Sequence, residues 1–410
     1  MNYICRDRVN EGELIIKFVA RSGYEDEPEV DEDGKPLLQC TTAVHHTLGC
    51  MPCYRKPAIS ELFKIYECRL DANYSDESGV THFHVACMLG CDDVVEKFLE
   101  LGQDPNCLVP ETGNSSLHWA LKHERKKVVE LLLRSGANTN LADVDGLTPL
   151  HVACLKDYDQ SVFFFKINDE MKQIVQVDEK DEMGWTPLEW AVSHILPGVV
   201  GVLMNHGADP SKFDFPSEIE FTTILEDYRN VYEGNFKLRL CSVLLAIIER
   251  LEKKGYKMNR SDALMIMKLF FKYRLFEKSA NLEKCWYENR NFARKAKNIM
   301  IRDNDPELSL YDLIRLRPDE AEKLFTVMDY FQFADSIRQW SKGPSGACVA
   351  HLCEKVSRRF FQHWALRFFF ELSCSALSLH EISIISCEIM EELTNKKLYN
   401  ICLAANIQKS

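Results

Sequence analysis

The sequence predicts an all-α protein, in which a stack of helical repeats is followed by a helical bundle. A short phrase that opens with glycine recurs at Gly79, Gly113, Gly146 and Gly184, at intervals of 34, 33 and 38 residues. After residue 216 apolar residues recur every three to four positions, and strand-like alternation is scarce. Both patterns favour helices along the whole chain.

Each repeat has the same predicted plan. The clearest phrase, residues 146–153, reads Gly-Leu-Thr-Pro-Leu-His-Val-Ala. The glycine permits a tight turn, Thr148 caps the first helix, and Pro149 suits its first position. A second helix follows in each unit and ends at a glycine such as Gly136. A period near 33 with Thr-Pro-Leu-His resembles the ankyrin repeat, a fold that builds binding surfaces.

The repeats divide the chain into four predicted segments. Residues 1–37 form an acidic leader, and 38–215 hold one degenerate and four clear ankyrin repeats. Residues 216–340 form a helical linker domain, and 341–410 a C-terminal helical domain. Since terminal repeats are often atypical, the degenerate copy fits its position at the start of the stack.

Several helices can be assigned individually. The 38-residue interval predicts a longer second helix around residues 163–177. In the C-terminal half we expect helices over residues 308–314, 318–333 and 349–372.

Composition restricts the class of partner. The chain has 410 residues, 46% of them hydrophobic, and a formal net charge of −12. That charge argues against nucleic acid or an anionic membrane and favours protein partners. We recognise no signal peptide or 18-residue apolar run, and the 16 cysteines are scattered. A reducing cytoplasmic or nuclear location is therefore expected.

Two groups of cysteine and histidine have the residue types of a metal site. They are Cys50 and Cys53 with His45 and His46, and Cys348 with His351 and Cys353. In the first group, His45 occupies the position where each repeat usually has a histidine, which accounts for it without a metal. In the second group, only residues 348 and 351 share a helix face. We predict no metal and no cofactor.

Catalytic motifs are also lacking. Phosphate-binding loops, zinc-protease motifs and nucleophile elbows do not occur with supporting context. We therefore predict a protein that is not an enzyme. The alternative, an enzyme hidden in residues 236–340, has no motif to support it.

The C-terminal segment contains a characteristic set of residues, namely Phe360, Phe361, Trp364, Ala365, Cys387, Glu388, Ile389, Leu393, Thr394, Asn395, Leu398, Asn400, Ile401 and Cys402. In these residues it resembles the PRANC family of poxviruses and parasitoid wasps, which joins ankyrin repeats to a C-terminal F-box-like domain. The resemblance implies docking of the Skp-type adaptor of a cullin ubiquitin ligase. The implied docking residues are Ile385, Ile389, Leu393, Leu398 and Ile401.

This segment departs from the family at two points. Residues 378–381 read Ser-Leu-His-Glu where the family has Leu-Pro, and Lys396 and Lys397 replace an acidic pair. An ankyrin scaffold that captures or sequesters a protein without recruiting a ligase is therefore the alternative function.

The concave face of the stack is the predicted site for the target protein, because stacked repeats expose their turn tips there. We expect Met183 and Trp185 to be exposed anchors. The full set of predicted partner-binding residues is Glu111, Asn114, Lys122, His123, Val144, Asp145, Leu147, Lys156, Met183, Trp185 and His194.

Overall fold

The structure is a computed structural model that describes residues 14–24, 30–32, 37–48, 56–66, 73–155, 158–231, 235–275, 289–302, 308–336, 344–373, 390 and 393–407. It contains two compact units. The first comprises residues 1–190 with 205–208, and the second comprises residues 191–204 with 209–410. Helices dominate both units, so the predicted all-α class is confirmed.

The repeats consist of two helices each. In chain order they are α1 (Ala43–His46) and α2 (Lys56–Ile65), α3 (His82–Leu89) and α4 (Asp92–Glu100), α5 (Ser116–Lys122) and α6 (Lys126–Arg134), α7 (Pro149–Cys154) and α8 (Tyr158–Met171), and α9 (Pro187–Ser193) and α10 (Pro197–Asn205). Residues 14–21 form a further helical segment. Helix α8 has 14 residues, whereas α4, α6 and α10 have nine each, which confirms the predicted lengthening.

The core of the first unit is made by the first helices of successive repeats, which pack against each other. Phe83, Leu117, Leu121 and Leu150 are fully or almost fully buried there. Small residues such as Ala120 lie among them and allow the helices to approach closely.

Besides most of α10, the second unit contains the remaining helices and a two-stranded sheet. Its elements are a 3₁₀ turn (Pro210–Lys212), α11 (Glu218–Val231), α12 (Phe236–Lys253), α13 (Arg260–Lys272), α14 (Arg290–Lys297), β1 (Met300–Arg302), β2 (Leu308–Ser309), α15 (Leu310–Arg315), α16 (Pro318–Leu324), α17 (Val327–Ser336), α18 (Pro344–Ser373) and α19 (Asn395–Ile407). The two strands pair antiparallel, with Met300 opposite Ser309. The centre of the unit is α12, which packs on α17 and α18, and α18 packs on α19.

Two predicted helices of this unit differ from the structure. The prediction of one helix over 318–333 was wrong, because Thr326 interrupts it: its N–H and hydroxyl donate to Asp329 Oδ2 at 2.7 and 2.9 Å and start α17. The predicted helix 308–314 begins with β2 instead, since Ser309 caps α15. The helix predicted over 349–372 lies within α18 and is confirmed.

A buried lysine joins α15 to α18. The Lys355 ammonium donates to the backbone oxygens of Leu313, Ile314 and Leu316 at 2.6, 2.9 and 2.6 Å, at the end of α15. Burial lowers the pKa of Lys355 to about 8. A cation among carbonyls at a helix C-terminus complements the helix dipole.

None of the helices in the described part of the chain combines the length and apolar character that a bilayer crossing requires.

Candidate functional site

In three of the repeats the turn before the first helix is held by an aspartate, which is Asp76, Asp143 or Asp181. Asp143 Oδ1 accepts hydrogen bonds from the N–H groups of Asp145 and Leu147, at 3.0 and 2.9 Å. Asp181 Oδ1 does the same for Met183 and Trp185, at 2.9 and 2.8 Å. This local bonding fixes the turn conformation. We call residues 76–80, 110–114, 143–147 and 181–185 the turn tips.

Neighbouring turn tips are joined through their backbones. The Val144 N–H donates to Thr112 O at 3.1 Å, and the Glu182 N–H donates to Asp145 O at 3.0 Å. Gly113 and Gly146 allow this approach: a Cβ on Gly113 would lie 2.9 Å from the Val144 nitrogen, and one on Gly146 would lie 2.7 Å from the Glu182 nitrogen. The tips at 110–114, 143–147 and 181–185 therefore form a connected row.

In each of the first four repeats, a histidine joins its own turn to the next repeat. In His118, Nδ1 accepts the Ser115 N–H at 3.1 Å, and Nε2 lies 2.9 Å from Leu147 O. In His151, Nδ1 accepts the Thr148 N–H at 3.1 Å, and Nε2 lies 3.2 Å from the oxygen of the next tip. An N–H donor at Nδ1 and a carbonyl at Nε2 permit only the neutral tautomer that is protonated at Nε2.

The same arrangement occurs at His45 and His84. Burial lowers the pKa of each of these four histidines below its ordinary value. In the last repeat Glu189 takes the histidine position, and its carboxylate accepts from the N–H and hydroxyl of Thr186 at 2.6 and 2.9 Å. The histidines are structural groups that stay neutral at physiological pH.

The predicted partner-binding residues differ in exposure. Among them Glu111, Lys122, Val144, Asp145 and Met183 are exposed, whereas Asn114, His123, Leu147, Trp185 and His194 are half-buried. Lys156 lies outside the described residues. His194 belongs to the second unit rather than to the unit that holds the turn tips.

Trp185 was expected to be exposed, but it is half-buried. Its ring packs edge-to-face on Trp190, with 5.4 Å between centroids. Trp190 is held in turn, since its Nε1–H donates to Asp181 Oδ2 at 2.7 Å. Met183 is exposed as expected, with 72% of its surface accessible, and Val144 is 58% accessible.

Trp119 is a half-buried residue next to exposed Lys122, and the sequence reasoning missed it. The Lys122 ammonium lies 5.1 Å from the centre of its ring, and the His123 ring stacks on it at 6.1 Å with an 18° tilt. The separations of three and four residues within α5 were a usable signal, because such pairs share a helix face.

The comparisons with known proteins agree with this geometry. Three overlapping copies of a family model for ankyrin repeats match residues 50–143, 83–171 and 117–214. Residues 50–214 therefore match the ankyrin repeat. Such repeats are scaffolds for protein–protein interaction, so the turn tips belong to a known type of binding surface.

Known proteins of several kinds are similar to part of the chain. A putative ankyrin repeat protein of fowlpox virus (strain NVSL) is 27% identical over 193 residues, which cover 45% of this chain and 53% of that protein. A probable 26S proteasome regulatory subunit of Saccharomyces cerevisiae is 30% identical over 135 residues, 32% of this chain and 56% of that protein. A palmitoyltransferase of Drosophila melanogaster is 28% identical over 158 residues, 38% of this chain and 24% of that protein.

The chain thus spans about half of the first two relatives and a quarter of the third. A viral protein, a proteasome subunit and an enzyme can share the repeats because function resides in the sites grafted on a fold.

One cysteine and one histidine lie together inside the ankyrin repeats, a contact that no sequence pattern indicated. Cys107 Sγ is 3.5 Å from His84 Nε2. That nitrogen carries the proton, because Nδ1 accepts the Thr81 N–H at 3.2 Å, so the imidazole cannot remove a proton from the thiol. Burial also raises the pKa of Cys107. The pair lacks the features of a nucleophile and base.

The groups predicted from cysteine and histidine spacing can be followed only in part. Cys50 and Cys53 lie outside the described residues. His351 Nε2 lies 3.1 Å from Ile314 O, while Cys348 and Cys353 are buried. Within the ranges that the structure covers, no three His, Cys, Asp or Glu side chains are arranged to hold a metal ion.

The implied adaptor-docking residues also have mixed positions. Ile385 and Ile389 lie outside the described residues. Leu393 and Ile401 are half-buried, and Leu398 is fully buried, so its side chain is not accessible to an adaptor.

The start of α19 is anchored on α18. The buried Asn395 side-chain amide donates to Glu354 O and to Ser357 Oγ, both at 2.9 Å. The next two residues, Lys396 and Lys397, are exposed.

Proposed function

We propose that this protein is a non-catalytic adaptor that captures a target protein on the turn tips of its ankyrin repeats. The observation that supports this most is the row of hydrogen-bonded tips, which presents side chains at a fixed spacing. A rigid surface loses little entropy on binding. The residues that bind the target are the exposed members of the tips, with the Trp119 and Lys122 pair beside them on α5.

The charge of the tips specifies the target. The four tips contain seven Asp and Glu residues and no Lys or Arg. Glu77, Glu111, Asp145 and Glu182 are exposed. Val144 and Met183 add apolar surface beside them. A basic segment with at least one large apolar side chain complements this surface, and its association rate should fall with added salt.

A charge-reversal experiment tests the target surface. Glu111→Lys combined with Glu182→Lys should remove captured proteins from an affinity purification that is quantified by mass spectrometry. The matched control is Glu96→Lys with Glu100→Lys, which makes the same charge change on exposed positions of α4. If both doubly substituted proteins retain the same captured proteins as the wild type, the tips are not the capture surface.

The second part of the proposal is that the C-terminal helices recruit a cullin-type ubiquitin ligase through its Skp-type adaptor. It is supported by the resemblance of residues 360–402 to the PRANC family and by the poxvirus relative with ankyrin repeats. The yeast relative is named as a probable proteasome subunit, which belongs to the same degradation system. Capture on one surface and recruitment through another would make the target a substrate for ubiquitination.

Lys396 and Lys397 provide the sharpest test of ligase recruitment. Both are exposed, so Lys396→Glu with Lys397→Glu should preserve the fold while restoring the acidic pair of the family. We expect the substituted protein to bind a purified Skp-type adaptor more tightly than the wild type does, as measured by calorimetry. Lys295→Glu with Lys297→Glu on α14 is the control for charge.

If neither the wild type nor the protein with Lys396→Glu and Lys397→Glu binds the adaptor, the alternative is favoured, an ankyrin scaffold that sequesters its target. Deletion of the tail is a poorer test, because Leu398 and Cys402 of α19 are fully buried and their loss would damage the unit.

A further inference from the structure

The second unit contains a cavity of about 600 Å³ that is open to solvent. Its walls come from residues 215–218, from residues 260–268 of α13, and from Asn406 at the end of α19. Helices α13 and α19 pack on each other, so the walls are held by secondary structure. The volume is within the range of sites that bind ligands.

The lining is mixed, and its apolar part consists of Phe215, Pro216, Leu264 and Met265. The Phe215 ring packs edge-to-face against Phe213 at 4.9 Å and stands 5.7 Å from Tyr256. Leu264 is 6% exposed and Met265 is half-buried beside it. This apolar part of the lining can receive a hydrophobic side chain, while the polar residues around it can bond to polar groups next to that side chain.

Exposed hydrophobic residues are concentrated near this cavity. Among the described residues of the second unit, the exposed large hydrophobic residues are Ile219, Phe271, Met300 and Ile407. Ile219 and Ile407 each follow a residue that lines the cavity, and Phe271 comes three positions after Lys268. Ile219 is 79% and Ile407 is 73% exposed. Clustering of this kind marks interaction sites on protein surfaces.

The charged groups of the lining favour a carboxylate. The Arg260 guanidinium is held 4.3 Å above the Phe368 ring and donates to Ala405 O at 3.5 Å. Lys268, two turns along α13, is exposed and forms no ion pair within the described residues. The Asp262 carboxylate already accepts the Tyr256 hydroxyl at 2.5 Å.

Glu218 supplies a negative charge from another wall of the cavity. It disfavours a ligand with several negative charges, such as a phosphate, and is compatible with a single carboxylate.

We propose that this cavity and the neighbouring residues Ile219, Phe271 and Ile407, together the docking groove, bind an extended segment of a partner protein. In that segment a large apolar side chain stands next to one carboxylate. The apolar side chain enters between Phe215 and Leu264, and the carboxylate pairs with Lys268. A peptide fits better than a small molecule, because a ligand confined to the cavity would leave the three neighbouring hydrophobic residues exposed.

The test uses the full chain and two fluorescein-labelled peptides, acetyl-Ala-Asp-Phe-Leu-Ala-amide and the same peptide with Lys in place of Asp. Fluorescence anisotropy should show binding of the acidic peptide, with the basic peptide weaker by about tenfold or more. Lys268→Glu should reverse this preference. Ser261→Trp, which adds bulk at an exposed lining position, should weaken both.

Lys295→Glu, at an exposed position on α14 outside the lining, is the control and should bind like the wild type. Circular dichroism of each variant establishes that it is folded. Three outcomes would overturn the proposal: equal binding of the two peptides, an acidic preference that survives Lys268→Glu, or a concentration-dependent dimer that Ser261→Trp abolishes. The last outcome would assign the groove to a second copy of the chain.

Discussion

Acid should loosen the ankyrin repeats, and His82 allows the size of the effect to be worked out. This buried histidine lies among the rings of His45, Tyr66 and Tyr74, with centroid distances of 4.8 to 5.4 Å. Burial lowers its pKa from 6.5 to about 3, and the charge of His45 acts in the same direction. Its Nε2 is 2.6 Å from Thr42 Oγ1.

The sign follows from proton binding. Between pH 6.5 and 3 the unfolded state binds a proton at His82 and the folded state does not, so stability falls as the pH falls through this window. From pH 7 to pH 5.5 the loss is about 1.3 kcal/mol for His82 alone. His45, His84, His118 and His151 add losses of the same sign, because burial lowers their pKa as well.

Hydrogen exchange measured by mass spectrometry on the full chain at the two pH values gives the opening free energy of residues 73–89. His82→Phe keeps an aromatic ring in place but cannot titrate. We expect the acid-induced loss to be smaller by about 1.3 kcal/mol in this variant, with a constant cost from the lost hydrogen bond to Thr42. His46→Gln removes an exposed imidazole from α1 and serves as the control.

If the opening free energy falls equally between pH 7 and pH 5.5 in the wild type and in His82→Phe, the reasoning is refuted. It would mean that the buried imidazole does not distinguish the folded from the unfolded state.

Other substitutions test the turn tips and the second unit. Gly146→Ala should lower the free energy of unfolding in urea more than Gly184→Ala does. Both glycines have positive φ, which costs alanine about 1–2 kcal/mol, but only a Cβ at position 146 would collide with the next tip. Asp181→Asn should lower the free energy of unfolding by about 1–3 kcal/mol and alter tryptophan fluorescence, because the new amide nitrogen would face the Trp190 N–H, and both are donors. Lys355→Met should lower the melting temperature, with a loss of about 2–4 kcal/mol in the free energy of unfolding, by removing the ammonium donor from the carbonyls of Leu313 and Leu316; Ile314 O also has the His351 ring nitrogen. Unchanged stability in any of these would contradict the corresponding contact.

Local rules predicted the repeats well. The glycine turns, the threonine caps and the bonds from each cap to its histidine involve residues only a few positions apart. Turns, caps and the role of His118 could therefore be inferred from spacing alone. The extra length of α8 followed from the interval between Gly146 and Gly184 in the same way.

Contacts between distant residues were the part that sequence could not supply. Trp185 is half-buried because Trp190 is fixed by Asp181, and such a pair of rings has no periodic signature. The approach of Cys107 to His84 joins residues 23 positions apart across two repeats. Lys355 likewise finds its carbonyls about 40 residues away, so a pattern along α18 does not reveal it.

The histidine positions give the ankyrin stack a direction and an end. Each imidazole carries one proton that requires an acceptor 23 to 35 residues further along the chain, and therefore presupposes a following repeat. The Glu189 carboxylate completes its own cap yet has no proton to pass on. Duplication of an internal repeat would keep every one of these histidine bonds, whereas a repeat added after Glu189 would not receive a histidine bond. Extension of the stack at that end would therefore depend on other contacts between the repeats.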